Sequence, residues 1–186
     1  MTGLKLHLMA LAVLSVLLSQ TQLLHSSVEI GSISEVRGNA QVLRDKAYGA
    51  ELQFNIQQMD DVRTEAGRVA ITFEDDSTVK LTEHSKLVID EYIYDPDPSK
   101  SKMALKFASG TARFITGKFN NKSNIAIRTP TANIAIRGTD FTCTVDELGR
   151  SLVILLPDEN GISSGEIIVA TAMGSVTLNK PYQATT

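Results

Sequence analysis

Three histidines and one cysteine make up the imidazole and thiol chemistry of this 186-residue chain. His7 and His25 lie in an apolar N-terminal segment, so a histidine-based site would have to use His84. His84 stands in Glu83-His84-Ser85-Lys86, a polar turn between Leu81 and Leu87. A catalytic base needs an orienting carboxylate and a nucleophile converging on it, and immediate chain neighbours do not converge on one point. The segment therefore reads as an exposed turn. Cys143 alternates with Phe141 and Val145, the pattern of a buried, inert thiol. A Cys/His zinc cage needs four ligands and a disulfide needs two thiols, so neither can be assembled from this chain. No cofactor and no metal are expected. Ser77-Thr78-Val79-Lys80 and Ser99-Lys100-Ser101-Lys102 match S-x-x-K. The active form of that motif opens a helix, whereas these fall in a strand hairpin and a Pro-flanked loop.

Carboxylates occur in pairs: Asp60/Asp61, Asp75/Asp76, Asp90/Glu91, Asp95/Asp97 and Asp158/Glu159. Glycoside hydrolysis requires two carboxylates at a set separation with different pKa values, which spacing along a chain does not supply. None of the stretches has the twelve-residue EF-hand pattern. Most read as turn formers, with Asp95/Asp97 as the calcium alternative. Asn121-Lys122-Ser123 is a glycosylation sequon, relevant only in a eukaryotic secretory pathway.

Arg128, Arg137 and Asp140 carry the most suggestive polar chemistry. Asn124-Ile125-Ala126-Ile127-Arg128 recurs unchanged as Asn133-Ile134-Ala135-Ile136-Arg137, joined by Thr129-Pro130-Thr131-Ala132. Strand alternation sends the isoleucines one way and Asn, Ala and Arg the other. The two copies could be consecutive strands turning a corner at Pro130, as in one coil of a β-helix. Two arginines on one face would suit a partner's carboxylate or phosphate. The competing reading is structural: Arg137 or Arg128 pairs with Asp140 or Asp75 and pins a turn at Gly138-Thr139-Asp140. The structural reading is favoured.

The elements that must position these residues read as strands. Val69, Ile71 and Phe73 alternate with Ala70 and Thr72, and similar runs recur at Leu105/Phe107, Ile125/Ile127, Ile134/Ile136, Phe141/Cys143/Val145, Val153/Leu155, Ile167/Val169 and Val176/Leu178. Turn residues separate them every eight to twelve positions or so, the rhythm of an all-β sandwich or a β-helix-like stack of short twisted strands. Over residues 47–61, Leu52, Ile56 and Met59 fall at helical spacing, which a loop with one helical turn explains equally well. Residues 95–102 hold two prolines among charges and read as a surface loop rather than an interdomain linker.

Lys5 precedes the apolar run Leu8 to Leu18, whose length suits a signal peptide and falls short of the ~20 residues that span a bilayer. Residues 1–26 are expected to be a signal peptide or signal anchor, and residues 27–186 a single exported β domain with its core over about 30–170. Without Lys5, 17 basic residues face 21 acidic ones, net −4. That balance, with a pI near 5.6, excludes a strongly basic nucleic-acid binder.

The run from Ile127 to Phe141, IRTPTANIAIRGTDF, resembles the signature of the FecR domain, a "TPTA.(I/V).(V/I)RGTDF"-like pattern. Its motif positions here are Thr129, Pro130, Thr131, Arg137, Gly138, Thr139, Asp140 and Phe141. Upstream segments follow the family in order: residues 33–42, the stretch from Asp60 to Val69, and the hairpin from Phe73 to Leu81. Asp76 stands where the family usually has Gly; Asp can occupy a left-handed turn conformation, at some cost relative to Gly. Members that regulate iron-transport sigma factors add a cytoplasmic arm and a membrane helix. Here a signal-like segment alone precedes the domain and 17 residues follow Val169, so that signalling role is not expected to carry over. The resemblance implies a non-enzymatic, periplasmic or secreted binding or scaffolding module. Its partner would be an envelope or surface protein, with no nucleic acid and with membrane contact only through a retained leader. Self-assembly of copies into an extracellular structural protein and a signalling-linked periplasmic regulator are the alternatives.

Overall fold

The computed structural model describes residues 29–118 and 124–186. Residues 1–26, expected to be a signal peptide or anchor, and the sequon lie outside the described residues. Fourteen strands and no helix make up the described chain: β1 (Glu29–Leu43), β2 (Ala47–Gly49), β3 (Asn55–Gln57), β4 (Asp61–Phe73), β5 (Thr78–Leu81), β6 (Lys86–Ile93), β7 (Lys102–Ile115), β8 (Asn124–Arg128), β9 (Asn133–Arg137), β10 (Asp140–Val145), β11 (Ser151–Leu155), β12 (Glu166–Thr171), β13 (Gly174–Leu178) and β14 (Ala184–Thr185). Residues 47–61 form two three-residue strands joined by a turn, not the helical turn that Leu52, Ile56 and Met59 allowed. Ile56 alone of those three is buried; Leu52 and Met59 point into solvent.

The long strands β1, β4 and β7 each serve two layers. In the first layer, residues 31–38 of β1 pair with residues 67–73 of β4, which pair with β5; β5 pairs with residues 112–115 of β7, followed by β10, β11 and β14. In the second, β2 pairs with residues 41–43 of β1, then come residues 61–64 of β4, β6, residues 102–109 of β7, β8, β9, β12 and β13. A pair of aromatic rings measures the bend. Phe107 and Phe114 are seven residues apart on β7, about 23 Å along a straight strand, yet their ring centroids lie 5.9 Å apart, edge to face. Gly110 sits between them with φ +93, and a Cβ there would fall within 2.5 Å of the Ser85 Cα. A strand that changes layers through such a bend makes the corner of an orthogonally packed sandwich.

The alternation then fills one core between the layers. Phe107, Phe141, Ile33, Ile71, Leu81, Leu105, Ile127 and Ile134 are among its fully buried side chains. Phe114 stacks on Phe141 at 5.0 Å. With no tryptophan in the chain, β-branched and leucine side chains supply most of the remaining volume. Residues 95–102 join β6 to β7 as the tip of an antiparallel pair. There the Asp95 and Asp97 carboxylates accept the N–H groups of Asp97 and Ser99, so both act as turn formers.

Candidate functional site

The repeated pentapeptide folds as the two arms of an antiparallel hairpin, with Ile125 opposite Ile136 and Arg128 opposite Asn133. It is not a coil of a β-helix. Pro130 occupies the second position of a tight reversal, where its fixed φ is favourable. The reversal closes through Thr129 N–H to Ala132 C=O at 2.9 Å and Ala132 N–H to Thr129 Oγ1 at 3.0 Å. The isoleucines are buried and both arginines exposed, as the alternation requires. Antiparallel pairing, however, sends the arginines to opposite ends of the hairpin, four residues or about 13 Å apart along the strands. They do not form one patch. Arg137 reaches Glu166, its register partner on β12, at 3.3 Å. Among the described residues Arg128 has no ion-pair partner.

Most other motif residues hold the chain at its corners. Thr129 and Thr131 hydroxyls meet Ser151 Oγ at 2.6 and 3.2 Å, and Thr131 also donates to the Gly149 carbonyl. The 129–132 turn is thereby tied to the β10–β11 hairpin. Gly138, at φ 58, carries the chain from the second layer to the first. The Thr139 N–H bonds Thr116 Oγ1, and the Thr139 carbonyl accepts the Thr116 N–H. The Thr139 hydroxyl is buried without a hydrogen-bond partner. Gly165 passes so close that a Cβ there would overlap the Gly138 carbonyl oxygen. Asp140 accepts from Nε and Nη2 of a bidentate Arg113, at 2.8 and 2.5 Å, across the β7–β10 ladder. The expected partner of Asp140 was Arg128 or Arg137. The register instead puts Arg113 two residues from its opposite position, a diagonal that sequence alone does not reveal. The same fork pushes the Arg113 pKa up, chiefly through the hydrogen bond to Asp140.

Two buried carboxylates serve turns. Asp75 accepts from the Tyr92 hydroxyl at 3.0 Å, from the Ser77 N–H at 3.3 Å and from the Ser77 hydroxyl. Burial, together with the Asp75 charge, drives the Tyr92 phenol pKa strongly upward. Asp76 adopts the left-handed conformation, φ 66, that aspartate tolerates in a turn. Asp60, fully buried, receives Arg44 Nε and Nη2 at 2.7 and 2.8 Å and the Gln57 N–H at 2.8 Å. Arg44 in turn lies 5.6 Å from the centre of the Phe54 ring. His84 is exposed on its turn at φ 55, and Cys143 is fully buried. Desolvation pushes the Cys143 thiol up to about 12, so it is neutral and unreactive. Among the described residues no three His, Cys, Asp or Glu side chains are grouped as a metal site.

The outer face of the first layer carries two pairs of like charges. Lys80 lies directly opposite Arg113, and Arg37 directly opposite Arg68. Arg68, Lys80 and Arg113 line a groove of about 290 Å³ together with Glu35, Ala70 and Thr111. Glu35 pairs with Arg37 at 3.1 Å and Asp140 with Arg113, while Arg68 and Lys80 have no carboxylate within ion-pair distance among the described residues. Sequence reasoning did not find this face. Alternation places Arg68, Lys80 and Arg113 on outward positions, but only the register makes them neighbours.

A family model described as "FecR protein" matches residues 60–158. No curated protein matches the chain. Among solved structures, two crystal structures of a candidate anti-sigma factor from Parabacteroides distasonis ATCC 8503, at 1.65 and 2.50 Å, are each similar at TM-score 0.52 and 14% identity. Each alignment covers 67% of this chain and 52% of the other, so the chain spans about half the length of the solved structures it matches. At that identity the likeness is one of fold.

Proposed function

The chain belongs to the FecR protein family, and from that premise we propose that it is an exported, non-catalytic recognition module of the bacterial envelope or cell surface. The observation that carries this reading is the division of labour in the family motif. Thr129, Thr131, Gly138, Thr139 and the Asp140–Arg113 fork tie strands and corners together, which leaves binding to side chains on the open sheet faces. The chemistry-bearing residues support the same reading. Among the described residues His84 has no converging partner, Cys143 is buried and neutral, and the buried carboxylates are engaged by turn donors or Arg44. The likeness in fold to a candidate anti-sigma factor supports a place in the envelope, and on this reading the domain works in the periplasm or at the cell surface.

Crosslinking in cells with tagged full-length protein, followed by identification of captured partners and of the recovered N-terminus, tests the proposal. A specific envelope protein on a chain beginning near Ser27 is the expected result. Turnover of an envelope polymer, abolished by one carboxylate substitution, would replace it with a hydrolase. Self-assembly is the second reading, favoured by β13. Among the described residues this edge strand pairs only with β12; it carries no charged residue and leaves Val176 half-exposed beside an exposed Met173. Natural sheets generally blunt such edges with charge. Size that rises with concentration would support this reading.

A further inference from the structure

We propose that the groove on the outer face of the first layer binds an acidic stretch of a partner polypeptide in extended form, with Arg68 and Lys80 holding two carboxylates spaced i, i+2. This inference rests on the reading of the chain as a recognition module. Like charges directly opposite on a ladder are destabilising, yet this face has two such pairs side by side, Arg37–Arg68 and Lys80–Arg113. Each pair has one member neutralised, Arg37 by Glu35 and Arg113 by Asp140. The two inner cations, Arg68 and Lys80, are left exposed and face each other diagonally across β4 and β5. The arrangement concentrates positive potential in the middle of the groove of a chain whose net charge is −3.

Geometry sets the ligand. Diagonal neighbours on a ladder are about 7–8 Å apart. Alternate side chains of an extended peptide lie about 6.6 Å apart on one face, so acidic residues at i and i+2 match the two cations. Between the cations the groove is lined by Ala70, Thr82, Thr111 and Thr142, short side chains that leave room for a peptide backbone. No aromatic side chain lines it, so the stacking platform that sugars and bases use is missing. The acidic remainder of the molecule repels a long polyanion more than a short acidic stretch.

The test measures binding of fluorescent peptides to the full-length protein by anisotropy at low and raised salt. One peptide carries Glu-Ser-Glu in a Gly/Ser background, a second carries the same residues with adjacent glutamates, and polygalacturonate is the third probe. The first peptide should bind most tightly and weaken as salt rises. The double variant Arg68→Glu/Lys80→Glu should lose at least tenfold in affinity. Both side chains are exposed, and the change removes two like-charge contacts, so its melting temperature should stay level or rise. Unchanged peptide affinity in a folded double variant would overturn the proposal, as would tighter binding of polygalacturonate than of either peptide. If the double variant still captures its crosslinked envelope partner, the groove is excluded while the recognition reading stands. If the wild-type chain captures no envelope partner, the reading itself fails.

Discussion

Asp60 and Asp140 both accept a bidentate arginine, but their surroundings give those bonds different weight. Asp60 is fully buried, and Arg44 reaches it with a side chain 27% exposed. Asp140 meets an Arg113 side chain that is 46% exposed, so water and salt screen the pair. Removing one partner of a buried pair strands the other charge, at a cost of about 3–5 kcal/mol, whereas exposed pairs contribute about 0–1 kcal/mol. Asp60→Ala should therefore destabilise the fold by about 3 kcal/mol in urea unfolding, and Asp140→Ala by less than about 1 kcal/mol. Equal losses would show that Asp140 does more than hold Arg113. Cys143 gives a pH prediction. Its folded pKa is raised from near 9 to about 12 by burial. The unfolded chain thus releases its proton first as pH rises, and unfolding becomes easier. The thiol's contribution is complete below pH ~8.5 and is lost progressively as pH rises from there towards 12. Cys143→Ser should flatten that part of the stability–pH curve relative to wild type. In wild type, a thiol reagent at pH 8 should label Cys143 only after denaturant is added.

At the scale of elements, β7 connects most of the architecture. It pairs with β5, β6, β8 and β10, and does so only because it bends at Gly110. A side chain there meets both an unfavourable backbone region and the Ser85 backbone. Left-handed strain alone costs on the order of 1–3 kcal/mol, and the overlap adds to it. Gly110→Ala should cost more than about 3 kcal/mol. Gly161→Ala, at φ +75 with open space around it, should cost only about 1 kcal/mol. Parity between the two would mean that the Gly110 bend relaxes without loss. The β8–β9 hairpin carries a second lesson. Identical pentapeptides at a nine-residue spacing allow either a coil or a hairpin, since both satisfy the same inside–outside alternation. The Thr129–Ala132 turn and its hydroxyl contacts to Ser151 select the hairpin.

At the scale of the molecule, three strands belong to both layers, so neither layer can form without the other. Urea unfolding followed by far-UV circular dichroism and by tyrosine fluorescence should give superimposable transitions. Cleavage within residues 95–102 separates β6 from β7, and β5 from β7. Each fragment alone should lack sheet signal, and mixing the two should restore it. A stably folded fragment would instead reveal two domains. The strand class of the fold, the inward-facing residues of strands such as β4, β8, β9 and β10, the buried thiol, the exposed His84 turn and the family signature were all legible in the sequence, whereas Val176, which alternates with Leu178, lies half-exposed on an edge strand. Each depends on local pattern: alternation, turn chemistry and motif order. Pairing register and the bend in β7 lay beyond it, because they follow from contacts between residues far apart in the chain. Those contacts decided that Asp140 meets Arg113 rather than Arg137, that Arg128 and Arg137 stand apart, and that Arg68 and Lys80 share one groove. Alternation assigns a side chain to a face, but only the folded sheet decides which side chains become neighbours on that face.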